Sequence, residues 1–170
     1  MSPMVANRVA LDSRGADCSN ARVRFEVVTR ASPEQARRAF TDFSDRRLQI
    51  WDRTLDPKTY EVRERGETWA VARESSARSP LWVVARYNWS DPDEIRWTVV
   101  ESSYGGGGTG TVRIHPGADS GSRLEVHYDN TGARPLQRPL LFLLHHGPMG
   151  RIISRMWAHT LDRYAQSDGR

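Results

Sequence analysis

Apolar and polar residues alternate along Val23-Arg24-Phe25-Glu26-Val27-Val28-Thr29-Arg30, the period-two pattern of a strand with one buried face. Ala31-Ser32-Pro33-Glu34-Gln35 then opens a helix. Ser32 stands as its N-cap, Pro33 takes the first helical position and Gln35 completes a capping box. Ala36, Ala39, Phe40 and Phe43 give that helix an apolar stripe, and a second short helix, 44–51, presents Leu48 and Trp51. The period returns to two over 60–65, 68–75, 81–89, 94–103, 108–115 and 122–130. Short turns rich in Gly, Pro, Asp and Ser separate these runs, which predicts antiparallel neighbours joined as a meander. With the first strand, the sheet has seven. A loop spans 131–139, and Gly147-Pro148 sets Leu140–His146 apart as a turn or separate helix. The closing helix carries Met149, Ile152, Ile153, Met156, Trp157, Thr160, Leu161 and Tyr164 on one face. Arg151, Arg155, His159, Asp162 and Arg163 lie opposite. Residues 1–20 show no period and read as a mobile leader before a single domain over 21–167.

Composition narrows the field. The formal net charge is +4, from 25 Lys+Arg against 21 Asp+Glu. The arginines are scattered among acids, which is the pattern of a solvated surface, and no nucleic-acid partner is expected. Cys18, the one cysteine, permits no internal disulfide and fits a reducing compartment. The longest apolar run, Leu140-Leu141-Phe142-Leu143-Leu144, has 5 residues, so no stable membrane insertion is expected and the location reads as cytoplasmic. That run is either an amphipathic flap that touches a membrane or gates a cavity, or a turn that packs the last helix onto the sheet.

Metal and cofactor motifs are missing. His145 and His146 diverge by about 100° on a helix and cannot share an ion, and His127 alternates outward. G-x-S-x-G, H-E-x-x-H and G-K-[ST] do not occur. Gly105, Gly107 and Gly110 satisfy G-x-G-x-x-G, but a strand follows where a dinucleotide site needs a helix. The run Ser103-Tyr104-Gly105-Gly106-Gly107-Gly108-Thr109-Gly110 is instead read as a flexible hairpin and a candidate lid.

Three features together resemble a known superfamily. They are Ala31-Ser32-Pro33-Glu34 directly after a strand, the run Tyr87-Asn88-Trp89-Ser90-Asp91-Pro92, and Glu94–Ser102 followed by a glycine-containing turn. The order of elements over Val23–Gln166 is similar to the helix-grip fold of the START and birch-pollen-allergen superfamily, specifically its bacterial polyketide cyclase/dehydrase-like SRPBCC members. The resemblance implies an α+β domain whose seven-stranded curved antiparallel sheet wraps a long C-terminal helix. It also implies an apolar cavity for a polyketide-like, lipid-like or aromatic metabolite.

Strand parity then names candidates. Leu81, Val83, Ala85, Tyr87 and Trp89 share one face, as do Ile95, Trp97 and Val99; unbroken alternation adds Glu101 and Ser103. Val112, Ile114, Leu124, Val126 and Tyr128 extend this surface, and the last helix lies across it with Met156, Trp157, Leu161 and Tyr164. Tyr and Trp combine a large apolar body with one polar tip, which suits a core or a ligand pocket equally. The expected ligand contacts are Trp69, Arg73, Tyr87, Trp89, Trp97, Tyr104, Met156 and Trp157. Trp69 and Arg73 alternate with Ala70 and Ala72, so Arg73 meets an acidic ligand group only if Trp69 faces inward. Glu101 is the candidate acid–base group, since a carboxylate in a low-dielectric pocket is tuned for proton transfer; the alternatives are a place near the strand end, where the sheet opens to water, or a β-bulge that flips its face. Two functions fit: a hydrophobic-ligand protein with cyclase or dehydratase chemistry, or a non-catalytic carrier acting with a membrane or protein partner.

Overall fold

The computed structural model describes residues 20–77, 79–131 and 149–168. The expectations placed on the leader, on Cys18, on the loop after Thr131, on Leu140–Leu144 and on His145 and His146 lie outside the described residues. Strand β1 (Asn20–Thr29) leads to helix α1 (Pro33–Thr41) and the single-turn helix α2 (Arg47–Ile50). Six strands follow: β2 (Glu61–Arg65), β3 (Trp69–Ser75), β4 (Trp82–Asn88), β5 (Glu94–Ser102), β6 (Gly107–Pro116) and β7 (Ser122–Thr131). Helix α3 (Met149–Asp168) closes the chain.

Every strand pair is antiparallel, in the order β1-β7-β6-β5-β4-β3-β2. The meander thus runs from β2 to β7, and β1 adds to its far edge. The α1 N-terminus follows the sequence signals: Gln35 N–H donates to Ser32 Oγ at 3.2 Å, and Ser32 N–H donates to Gln35 Oε1 at 3.0 Å.

Helix α3 packs on β1 and α1, where two contacts fix it. Thr29 Oγ1 and the Arg30 N–H both donate to Asp162 Oδ1, at 2.6 and 2.7 Å. A carboxylate accepting two such bonds ties the middle of α3 to the end of β1. Between α3 and the sheet lies a core of Phe25, Val27, Phe40, Ile95, Val112, Leu124, Val126 and Leu161. Leu161 is fully enclosed there, as the helical period predicts, whereas Ile152 is 43% exposed although the same period put it on the packed face. It sits in the first turn of α3, at the edge of the stripe.

Candidate functional site

The concave face of the sheet, α2 and α3 enclose a cavity of about 270 Å³. One wall is aromatic. Trp157 of α3 meets Phe25, Phe40 and Trp51 with ring centroids 5.6, 5.2 and 5.8 Å apart, each edge to face. The Trp51 indole N–H donates to the Ala39 carbonyl at 3.0 Å, which locks α1 to the turn after α2. The opposite wall is the sheet itself, with Val83, Ala85, Tyr87, Ile95, Trp97, Val99 and Tyr128 pointing inward.

The Trp97 indole occupies its place because β6 has no side chain beneath it. A Cβ on Gly110 would lie 2.0 Å from the ring. The glycine run therefore divides its labour. Only Tyr104, Gly105 and their neighbours form the turn, with Gly105 at φ 72°, a conformation glycine adopts without strain. Gly107, Gly108 and Gly110 belong to β6. Tyr104 is 4% exposed and folds back from the turn to line the cavity.

At the α2 end the cavity is polar. Arg47 and Glu74 are both buried, with the Arg47 Nε–H donating to Glu74 Oε1 at 2.9 Å. The Tyr87 hydroxyl donates to Glu74 Oε2 at 2.6 Å. Arg47 Nη1 donates to the Phe40 and Asp42 carbonyls, and the guanidinium lies 3.8 Å over the Phe43 ring. Burial alone would depress the Arg47 guanidinium, but Glu74 and the neighbouring phenols hold it above its ordinary value. Burial, reinforced by Glu74, pushes the Tyr87 phenol well up, and burial does the same to Tyr128 and Tyr104. Tyr60, behind Arg47, is pushed up to about 12 by burial, partly countered by Arg47.

Several expected site residues meet here and others do not. Tyr87, Trp97, Tyr104 and Trp157 line the cavity. Trp89 packs beside it, stacked on Phe43 with centroids 5.6 Å apart, and its indole donates to the Glu67 carbonyl. Met156 is half-buried on α3 and is not among the lining residues. The facing of β3 corrects the reading of Trp69 and Arg73. Ala70, Ala72 and Glu74 point inward, because Phe43 fills the space above the two alanines. Trp69 and Arg73 thus lie on the convex face, where Arg86 covers the Trp69 ring and Arg73 covers Trp82.

Glu101 is the second correction. Ala85 pairs with Val99, but Val84 pairs with Glu101, so Val100 is an extra residue bulged out of β5. The bulge reverses the parity beyond it. Glu101 sits on the convex face, its side chain 52% exposed, and accepts from Arg63 Nη1 at 2.8 Å. The carboxylate of the cavity is Glu74. Neither it nor Arg47 is apparent from motifs, although Arg47 falls on the stripe formed by Phe43, Ile50 and Trp51, and Glu74 continues the parity of Ala70 and Ala72.

A curved antiparallel sheet closed over a long C-terminal helix, with a cavity between them, defines a helix-grip protein. The sequence profile described as polyketide cyclase / dehydrase and lipid transport matches residues 20–165, and the chain belongs to that family. Among solved structures, TTHA0849 from Thermus thermophilus is similar at 19% identity and a TM-score of 0.69, over 88% of this chain and 99% of that one. Norcoclaurine synthase from Thalictrum flavum, in complex with dopamine and hydroxybenzaldehyde, is similar at 10% identity and a TM-score of 0.64, covering 95% and 98%. A START superfamily protein from Mycobacterium smegmatis follows at 14% identity and 0.62, covering 86% and 98%. No curated protein matches the sequence. No helix among the described residues is long and apolar enough to cross a membrane.

Proposed function

We propose that this protein binds a small, mostly apolar molecule in the cavity between sheet and α3. Family membership supports hydrophobic-ligand binding as the general role. The observation that carries the reading to this chain is the cavity itself, about 270 Å³ with indole and phenol walls. A cavity of that size suits a one- or two-ring molecule or a short acyl chain. The proposed contacts are Trp157, Trp97, Tyr87 and Tyr104, with Trp51 completing the aromatic wall. If chemistry accompanies binding, as in a polyketide cyclase or dehydratase, the acid–base group is Glu74, which the Tyr87 hydroxyl and Arg47 already hold in one rotamer. A carrier needs the same cavity without that proton transfer.

Native mass spectrometry of freshly purified protein, followed by calorimetry with the compound identified, tests the proposal. A bound species below the size of a diacyl lipid is expected. Ala85→Phe projects a ring into the cavity and should abolish uptake while the fold persists. Undiminished binding by that variant would move the site elsewhere.

A further inference from the structure

The cavity contains two formal charges among its described lining residues, Arg47 and Glu74, and they are spent on each other. The Arg47 guanidinium is further occupied by two backbone carbonyls and by the Phe43 face. Both Glu74 oxygens are taken, one by Arg47 and one by the Tyr87 hydroxyl. The remaining polar side chains on the described wall, those of Thr54, three serines, Tyr104, Tyr128 and Asn130, carry neutral hydroxyls and one amide. Burial keeps the phenols protonated at neutral pH, so they stay uncharged hydrogen-bonding groups.

An arginine at the end of an apolar cavity ordinarily suggests capture of a carboxylate. Here the sum of charges argues the reverse. Among the described lining residues, a bound carboxylate would add one uncompensated negative charge beside Glu74, at the buried end of the cavity. Burying an unpaired anion is far more costly than burying an amide, ketone or phenol of the same shape that finds a hydroxyl partner. We infer that Glu74 is a specificity-determining residue: by neutralising Arg47 it makes the cavity select uncharged ligands bearing one or two hydrogen-bonding groups and reject the corresponding carboxylates. This rests on the ligand-binding reading given above, and it narrows the ligand class to neutral ketones, amides and phenols of one or two rings.

Two isosteric probes test it, 2-naphthamide and 2-naphthoate, titrated calorimetrically into the whole protein at pH 7. The neutral amide should bind at least tenfold tighter than the carboxylate. Glu74→Gln keeps one acceptor for Arg47, turns its amide N–H toward the Tyr87 hydroxyl oxygen and releases the arginine's charge, and should shift the ratio at least tenfold toward the carboxylate. Equal or tighter binding of naphthoate by the unaltered protein overturns the inference even if the variant does not fold, and leaves the cavity as a binding site. A wild-type preference for the amide that is unchanged in Glu74→Gln overturns the role given to Glu74. Failure of both probes to bind, with no ligand co-purifying, defeats the binding proposal itself.

Discussion

Glu74 and Glu101 lie two strands apart, on either side of β4, and each is paired with an arginine, yet they occupy different solvents. The Glu74–Arg47 pair is enclosed between α2 and the sheet, with side chains 10% and 6% exposed. The Glu101–Arg63 pair stands on the convex face at 52% and 35%. Coulomb attraction is strong in the first setting and screened in the second, but so is the penalty for leaving one partner alone. The same two residue types thus make an indispensable joint in one place and a dispensable contact in the other. What separates them is the face each acid takes on its strand, inward on β3 and outward beyond the bulge of β5.

The largest effect should come from Glu74→Ala, which strands a buried guanidinium. We expect a loss of about 3–5 kcal/mol in urea unfolding, and partial recovery when Arg47→Met is added. A double variant no more stable than the single would break the contrast between the two pairs. Tyr87→Phe removes one charge-assisted hydrogen bond to Glu74 and should cost about 1.5–3 kcal/mol by the same measurement. Gly110→Ala forces the Trp97 indole to move and should cost about 1–3 kcal/mol, with a shift in tryptophan emission as the ring leaves its seat.

Alkaline pH offers a milder probe of the enclosed region. The phenols of Tyr60, Tyr87, Tyr104 and Tyr128 all have raised folded-state pKa values, so the unfolded chain releases these protons first. Their contribution to stability is whole below about pH 10 and falls as pH rises beyond it. Ultraviolet titration should show tyrosinate appearing later in the folded protein than in urea. Finally, Glu101→Gln should leave the urea midpoint and ligand affinity unchanged within measurement scatter. A clear loss of binding would return Glu101 to the site.

Much of this architecture can be read from residue order. Strong period-two runs and a capping box define the seven strands and α1, because local geometry alone enforces those patterns. Inward-facing Tyr87, Trp97 and Trp157 follow from parity on regular elements. The polar end of the cavity escapes such reading for three physical reasons. Helix α2 is a single turn, and although Arg47 shares the spacing of Phe43, Ile50 and Trp51, a charged residue in so short an element reads as solvent-facing until its buried partner Glu74 is known. On β3 the bulkier Trp69 and Val71 outweigh Ala70 and Ala72 in hydrophobicity, yet the alanines face the core because Phe43, from a distant segment, requires the room. The β5 bulge leaves no composition signal at all, since Val100 is an ordinary strand residue.

That bulge has an informational consequence. Strand β5 behaves like a reading frame with one inserted letter. Removing Val100 would restore unbroken alternation, with Val99 inward, Glu101 outward and Ser102 inward, the same facings those residues have now. The insertion is silent to everything downstream of it and misleads only a count that begins upstream. The place of an acid on this sheet is therefore set by its cross-strand partner, Val84 for Glu101 and Val83 for Glu74, and not by its distance along the chain.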